Sequence, residues 1–360
     1  MVSMVHGGLD VHKETIEAYL IGEETGEVVS EQLVNDRTKV LRAVRRWSKL
    51  GELRLCYEAS GAGFVLKRWL EAVGVHCDVV APSLIPKAPG NRVKTDRRDA
   101  RQLALLYRAG MLTPVRVPDR EEEDARSLMR LREDLTQDCV RLKNRIGKYL
   151  LILGHIYRGT SFTLKHRRWI DELPLEPLQR VVLDSYLVQL DHQVEQQREL
   201  DGRIEELASS ERYRVGVQRL MSLKGVGLYS AMVLLTEIGD AHRFSSPVKL
   251  MSYFGLVPRE SSSGERRCTG SITKAGNNHA RWILVEAAWH QVSKPGRSLR
   301  VCKHWQTQPA PVVSIGKKAE KRLHHKFWSI AMRKDRKTAA TAVAREMVGF
   351  VWALLTLEVA

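Results

Sequence analysis

The chain is poor in cysteine and has none in pairs. Cys56, Cys77, Cys139, Cys268 and Cys302 form an odd, widely spaced set of five with no CxxC. That argues against a disulfide framework or a zinc module. Cys56 and Cys77 sit in apolar runs and are expected in a core. No apolar run reads as long enough to span a bilayer. The start MVSMVHGGLD lacks the basic opening and long apolar stretch of a signal peptide, so a cytoplasmic protein is the expectation. Internal repeats and low-complexity tracts are also missing. Acids are in deficit: 42 Asp and Glu against 58 Lys and Arg leave a net charge of +16. The excess points to a polyanionic partner, nucleic acid first and an anionic membrane surface second. Of the twelve histidines, His324 and His325 are adjacent; neighbours in sequence rarely share one metal, so they read as surface charge.

At 360 residues and 43% apolar content, the chain can bury ordinary cores in two domains with an extended middle. Residues 4–35 pattern as a β-meander. Helices are expected over Asp36–Leu50, Gly61–Val73 and Thr95–Ala109, strands over Leu53–Glu58 and His76–Ala81, and a loop over Pro86–Lys94. The order βββαβαβα predicts a mixed sheet with helices against it. It resembles the ribonuclease-H-like (RuvC-like) fold, in which a first strand, a fourth strand and a late helix gather acids.

Beyond Pro118 a long helix is expected, capped by Asp119, with Glu121, Glu122 and Glu123 in its first turn. Leu128, Leu131, Leu135, Cys139, Leu142 and Ile146 recur at coiled-coil steps. Pro177–Ala208 carries Leu183, Leu187, Leu190 and Val194 similarly. With the basic, irregular Arg158–Arg168 between them, the two helices predict an antiparallel hairpin whose apolar seam is also open to a partner chain. A second globular region begins at Arg212 and ends in an amphipathic helix around Ala339–Leu355. Pro309 and Pro311 mark an expected mobile break near Gln306–Lys318.

Three motifs carry chemistry. Asp10 and Glu58 end apolar, β-prone runs in GGLDVHKE and CYEASGAG, and Asp96 and Asp99 open a helix in KTDRRDARQLA. Three residues apart on a helix, Asp96 and Asp99 share a face and repel unless a cation lies between them. A lone D-x-x-D is uninformative; four acids on these elements suit two Mg²⁺, with Mn²⁺ as a substitute, a device for attacking phosphodiesters. The second motif, LMSLKGVG over residues 220–227, reads as a helix-hairpin-helix-like turn offering backbone N–H groups to phosphate through Lys224, Gly225 and Gly227. A plain glycine-capped helical turn is the alternative. In the third, Ser261-Ser262-Ser263-Gly264 sits among Arg259, Arg266, Arg267 and Lys274. A hydroxyl there can serve as a nucleophile on phosphorus, though such a run is more often a flexible turn.

GLDVHKE, YEASG, KTDRRDARQLA, LKGVGLYSAMVLLTEIGD, FGLVPRESSSGERR, GSITKAGNNHARWILVEAAW and AVAREMVGFVWALL follow one another as in the transposases of the insertion-sequence 110 family, which the chain resembles over nearly its whole length. The resemblance implies a RuvC-like domain over 1–112, a coiled-coil hairpin over 113–211, and a mainly α transposase domain over 212–360. It implies a DEDD set at Asp10, Glu58, Asp96 and Asp99, and a nucleophilic serine at Ser263, with Ser262 next in line. It also implies double-stranded donor and target DNA, a structured bridge RNA, and a dimer assembling to a tetramer whose composite site draws on two protomers. Lys94, Arg97 and Arg98, flanking the acids, and Arg259, Arg266, Arg267 and Lys274, flanking the serine, are then expected at phosphates. Two other classes stay open: a resolvase or ribonuclease-H-like nuclease using activated water, and a non-catalytic nucleic-acid-binding protein.

Overall fold

The computed structural model describes residues 3–24, 26, 28–86, 95–263 and 266–358, with only the backbone for 261–263 and 266–269. The chain divides into two compact units, Met1–Pro118 and Asp119–Ala360.

The first unit is a mixed α/β domain on a five-stranded sheet. Its strands are β1 (Met4–Val11), β2 (Thr15–Gly22), β3 (Val28–Val34), β4 (Glu52–Glu58) and β5 (His76–Val80), in spatial order β3-β2-β1-β4-β5. β1, β2 and β3 form the antiparallel meander; β4 lies parallel to β1, and β5 parallel to β4. Parallel pairing needs a crossover, which α1 (Arg37–Trp47) supplies before β4 and α2 (Val65–Glu71) before β5. Asp36 caps α1 by accepting from the Lys39 N–H at 3.1 Å.

Strand alternation sorts the sheet into two faces. Leu9, Ile16, Leu20, Leu55, Tyr57 and Val79 pack against Val40, Val44 and Trp47 of α1 and Leu66 and Leu70 of α2. Each such fully buried aliphatic contributes about 1.5–3 kcal/mol. The other face carries Cys56 and Val80, covered by Leu103 of α3 (Asp96–Arg108). Both Cys56 and Cys77 are buried, as their runs implied. The helix expected from Gly61 starts only at Val65, because Gly63 turns through left-handed φ (+64°) just before it.

The second unit is mainly helical. α4 (Arg120–Ile152) and α6 (Pro177–Ala208) run antiparallel, as the pairs Arg132–Asp201 (2.8 Å) and Gln197–Thr136 (2.8 Å) fix. Asp119 caps α4 through the Glu122 N–H at 2.8 Å. Cys139, Leu142, Ile146 and Leu150 meet Leu183, Leu187 and Leu190 in one core. Leu131 is not part of that seam: it is 49% exposed, and Met129 is buried in its place. The seam bends into the main core at that point, so the strict step pattern fails there. Between the long helices, the stretch expected to be irregular contains α5 (Leu164–Asp171), capped by Thr163.

The remaining elements are α7 (Glu211–Leu220), α8 (Leu228–Ile238), α9 (Pro247–Tyr253), the antiparallel ribbon β6 (Pro258–Ser263) and β7 (Arg266–Ile272), α10 (Asn278–Trp289), α11 (Leu299–Trp305), α12 (Ala310–Ala331) and α13 (Arg336–Leu355). A buried Glu237 joins α4 to this assembly. It accepts from Arg130 Nη2 at 3.0 Å and from Asn277 Nδ2 at 2.6 Å.

The structure corrects three expectations here. Pro309 and Pro311 do not break the chain; they start α12, where a missing N–H costs nothing. α13 is long and apolar enough to cross a membrane by length and composition, although no span was read from the sequence. Its apolarity is used inside the unit, where Ala340, Val343, Met347, Val348 and Val351 are buried. His324 is not simply surface charge, since its Nδ1 lies 2.7 Å from the Gln291 carbonyl oxygen.

Candidate active site

The parallel register of β1 and β4 brings the first two acids side by side. Leu9 pairs with Tyr57, and one residue further each strand presents an acid, Asp10 and Glu58. Leu9 and Tyr57 enter the α1/α2 core, so alternation turns Asp10 and Glu58 to the α3 face.

α3 can lie close on that face because β1 carries Gly8 there. A Cβ at Gly8 would stand 2.3 Å from the Ala100 carbonyl oxygen and 2.5 Å from the Ala104 nitrogen, both backbone atoms. The contact brings the first turn of α3 over the end of β1, with Asp96 and Asp99 in that turn. Thr95 caps the helix, so both acids also lie at its positive end.

Asp10, His12 and Asp96 converge: His12 Nε2 is 3.3 Å from an Asp10 oxygen and 3.4 Å from an Asp96 oxygen. One ligand atom from each of the three lies within 4.8 Å of the others. Burial raises the Asp10 carboxyl above its ordinary 3.8; His12 opposes that rise, while the charges of Asp96 and Asp99 add to it. Asp99 is therefore within electrostatic reach. Glu58 neighbours Asp10 by register, yet it is exposed and outside the tight group among the described residues. His12 was not read as a site residue from the sequence. The signal was its position two past Asp10, just beyond the end of β1.

Oxygen donors from two carboxylates with one imidazole suit Mg²⁺ or, better, Mn²⁺, which accepts nitrogen more readily. A carboxyl with raised pKa among like charges also favours a cation beside it. The donor set thus fits a divalent metal.

The serines are not on a turn. Ser261, Ser262 and Ser263 are the last residues of β6, paired with Cys268, Arg267 and Arg266 of β7. Ser263 closes the ribbon and belongs to the second unit, whereas the acids belong to the first. The side chains of Ser262, Ser263, Arg266 and Arg267 are outside the described residues, as is Lys94 altogether. Arg97, Arg98, Arg259 and Lys274 are exposed.

In the helix-hairpin-helix-like turn between α7 and α8, Lys224 departs from its expected role. It is 5% exposed, and its ammonium donates to the carbonyl oxygens of Ser293 (2.7 Å) and Lys294 (3.1 Å) beside Glu320 at 3.5 Å. An ammonium held this way is not free for a phosphate. Gly225 is likewise needed by packing: its φ is +90°, and a Cβ would lie 2.3 Å from the Ala287 carbonyl oxygen. Gly225→Ala is expected to destabilise the protein by about 2–4 kcal/mol, from backbone strain and overpacking together; an unchanged urea midpoint would refute this. Gly227 is different. It caps α8, and a Cβ there would meet only Arg300 Nη1, at 3.9 Å. With His290, Arg297 and Arg300 it lines a cavity of about 480 Å³. These three cationic or titratable side chains, from a region outside the motif, were not legible in it.

Residues 7–154 match a model of the DEDD transposases of the IS110 group, described as "Transposase". Residues 217–301 match one described as "Transposase IS116/IS110/IS902 family". A putative transposase of Sinorhizobium fredii is 38% identical over 88% of this chain and 78% of its own length. The transposase for insertion sequence element IS1533 of Leptospira borgpetersenii is 32% identical over 93% of this chain and 99% of its own. A pilin gene-inverting protein of Moraxella lacunata is 29% identical over 73% and 75%.

Proposed function

This chain belongs to the IS110/IS116 family of transposases, and on that premise we propose that it cuts and rejoins double-stranded DNA of a mobile element through a covalent serine intermediate. The observation that carries the reading is the convergence of Asp10, Asp96 and His12 at the end of β1, with Asp99 in electrostatic reach. The first unit is read as RuvC-like on its strand order and the position of its acids.

Asp10, Asp96 and Asp99 would hold one or two Mg²⁺ ions, with Glu58 joining when the scissile strand is present. Bound metal would supply charge neutralisation on the phosphoryl oxygens. His12, whose Nε2 lies beside both Asp10 and Asp96, would add a nitrogen donor. Ser263 Oγ attacks phosphorus: a serine–phosphate ester forms and the bond to the 3′ oxygen breaks. The serine proton is lost, and the 3′ oxygen leaves as a hydroxyl. Attack by the 3′ hydroxyl of an exchanged strand then releases the serine and reseals the backbone.

The acids and the serine lie in different units of the chain, which leaves room for one copy to supply acids and another the serine in a dimer or tetramer. Arg97, Arg98, Arg259, Arg266, Arg267 and Lys274 would neutralise backbone phosphates. The choice of donor and target would rest on pairing with a bridge RNA, a reading supported by the resemblance alone.

The discriminating experiment is a denaturing gel of labelled DNA trapped on the protein. An adduct that disappears in Ser263→Ala and persists in Ser262→Ala is the expected result. An adduct in both variants overturns the assignment to Ser263. Cleavage without any adduct favours the resolvase-like reading with activated water.

A further inference from the structure

A groove of the second unit has only its Lys274 used in the chemistry above. It lies between the β6–β7 ribbon and helices α9 and α13, with a volume of about 770 Å³, inside the range of sites that enclose one small ligand. Its floor is apolar: Met251, Leu256, Pro258, Ile272 and Ala342. Its rim carries Lys274, Lys337 and Arg345. The carboxylate on the wall, Glu346, is taken by Lys326 at 3.4 Å and by Arg322. Charge on the rim is therefore positive, over a floor that rewards a flat apolar face.

Lys274 adds a second observation. Its φ is +56°, in the left-handed region that a side chain rarely adopts. Its N–H is fixed by the Gly255 carbonyl oxygen at 3.0 Å. Backbone strain of this kind, about 1 kcal/mol or more, persists where the surroundings over-determine it, often at a ligand clamp.

We infer that this groove seats one unpaired DNA nucleotide, with its base on the apolar floor and its flanking phosphates on Lys274, Lys337 and Arg345. A base inside a duplex keeps its faces stacked and cannot lie on the floor; an unpaired one can. Met251 suits the task, because a thioether adapts its shape and makes favourable contacts with aromatic rings. The groove wall is the ribbon itself, at the Pro258–Ile272 pair. From there β6 runs to Ser263, about 16 Å on at about 3.3 Å per residue, or about five nucleotide steps of 3.4 Å on a stacked strand. DNA rather than RNA is assigned because the same ribbon carries the serine proposed to act on DNA; to that extent the inference rests on the proposed function.

The test is equilibrium binding by the full chain in EDTA, where strand chemistry is off, so its outcome is separate from that of the serine. Fluorescence anisotropy is read with a 12-nucleotide single strand of DNA, the same sequence as RNA, and the DNA duplex. Ala342→Trp, which fills the floor, is expected to weaken the DNA single strand about tenfold, as loss of one base contact does. It should leave the duplex within about twofold and the salt dependence unchanged. Lys337→Ala with Arg345→Ala, both on the rim, should lower the slope of log affinity against log salt by about 1.4, at about 0.7 per lost phosphate contact on a single strand. This rim pair keeps the test open should Ala342→Trp fold poorly, which a melting curve reports. An unchanged single-strand affinity, or parallel loss on single strand and duplex, overturns the seat in favour of a plain basic face. Tighter binding of the RNA strand that is lost in Ala342→Trp overturns the assignment to DNA.

Discussion

Asp10→Ala should abolish strand cleavage, by at least about 1,000-fold, while changing DNA affinity by less than about threefold. The size follows from removing a donor at the centre of a charge-stabilising site, where losing one stabilising group costs about 100- to 1,000-fold and losing a metal costs more. Binding survives because it is carried by the basic surface of a chain with net charge +16. Stability moves the other way from activity. The folded-state pKa of Asp10 lies above 3.8 through burial and through Asp96 and Asp99, so its ionisation opposes folding. That penalty is absent below pH 3.8 and complete once the pH has risen past the raised value. Asp10→Asn should therefore melt no lower than the parent at neutral pH without divalent metal. Added Mg²⁺ should raise the melting temperature of the parent and not of the variant, because only a native state that binds gains by mass action. Cleavage retained in Asp10→Ala would sink the metal assignment.

Gly8→Ala is expected to reduce cleavage about 100-fold and to cost about 1–3 kcal/mol of stability. The new methyl would press on the Ala100 carbonyl oxygen at 2.3 Å and the Ala104 nitrogen at 2.5 Å, and neither can rotate away. α3 must lift, at the usual cost of overpacking. Asp96 and Asp99 move with it, and a shift of about 1 Å at a reacting centre is worth about 100-fold in rate. Gly7→Ala is the control. Its methyl would meet Leu20 Cδ2 and Leu55 Cδ2 at 2.5 Å, side-chain ends in the opposite core that can turn. It should lose stability while keeping most of its cleavage rate. Equal rates in the two variants would show that α3 does not set the acids.

These two glycines mark the boundary of what the sequence could tell. Alternation, caps and turn residues are local signals, and they placed β1 to β5, the Asp119 cap and the acids at strand and helix ends. What a residue packs against is not local. Gly8 and Gly225 look like any other glycine until α3 and α10 come down on them. Lys224 reads as a phosphate ligand in its motif, yet the Ser293 and Lys294 carbonyls turn it inward from a loop far along the chain. Pro309 and Pro311 look like a break because a proline can either end a helix or begin one. His12 was visible beside Asp10, but its reach to Asp96 depends on where α3 lies. Met129 replaces Leu131 in the core because the hairpin leaves its own seam to join the larger helical assembly.

The parallel pairing of β1 with β4 has a consequence for the newborn chain. Asp10 pairs with Glu17 as soon as the β1–β2 hairpin closes, yet its strand has no parallel neighbour until Glu52–Glu58 has been made and has crossed back beside β1. Its third partner waits for α3, and the ribbon that ends in Ser263 follows only after two helices of more than thirty residues each. Synthesis proceeds at about 5–20 residues per second, so the chain spends many seconds with its acids assembled and its ribbon unmade. A polypeptide interrupted after α3 and before the ribbon carries all four acids without the serine. On the proposed reading, such a fragment lacks the nucleophile and forms no covalent link to DNA.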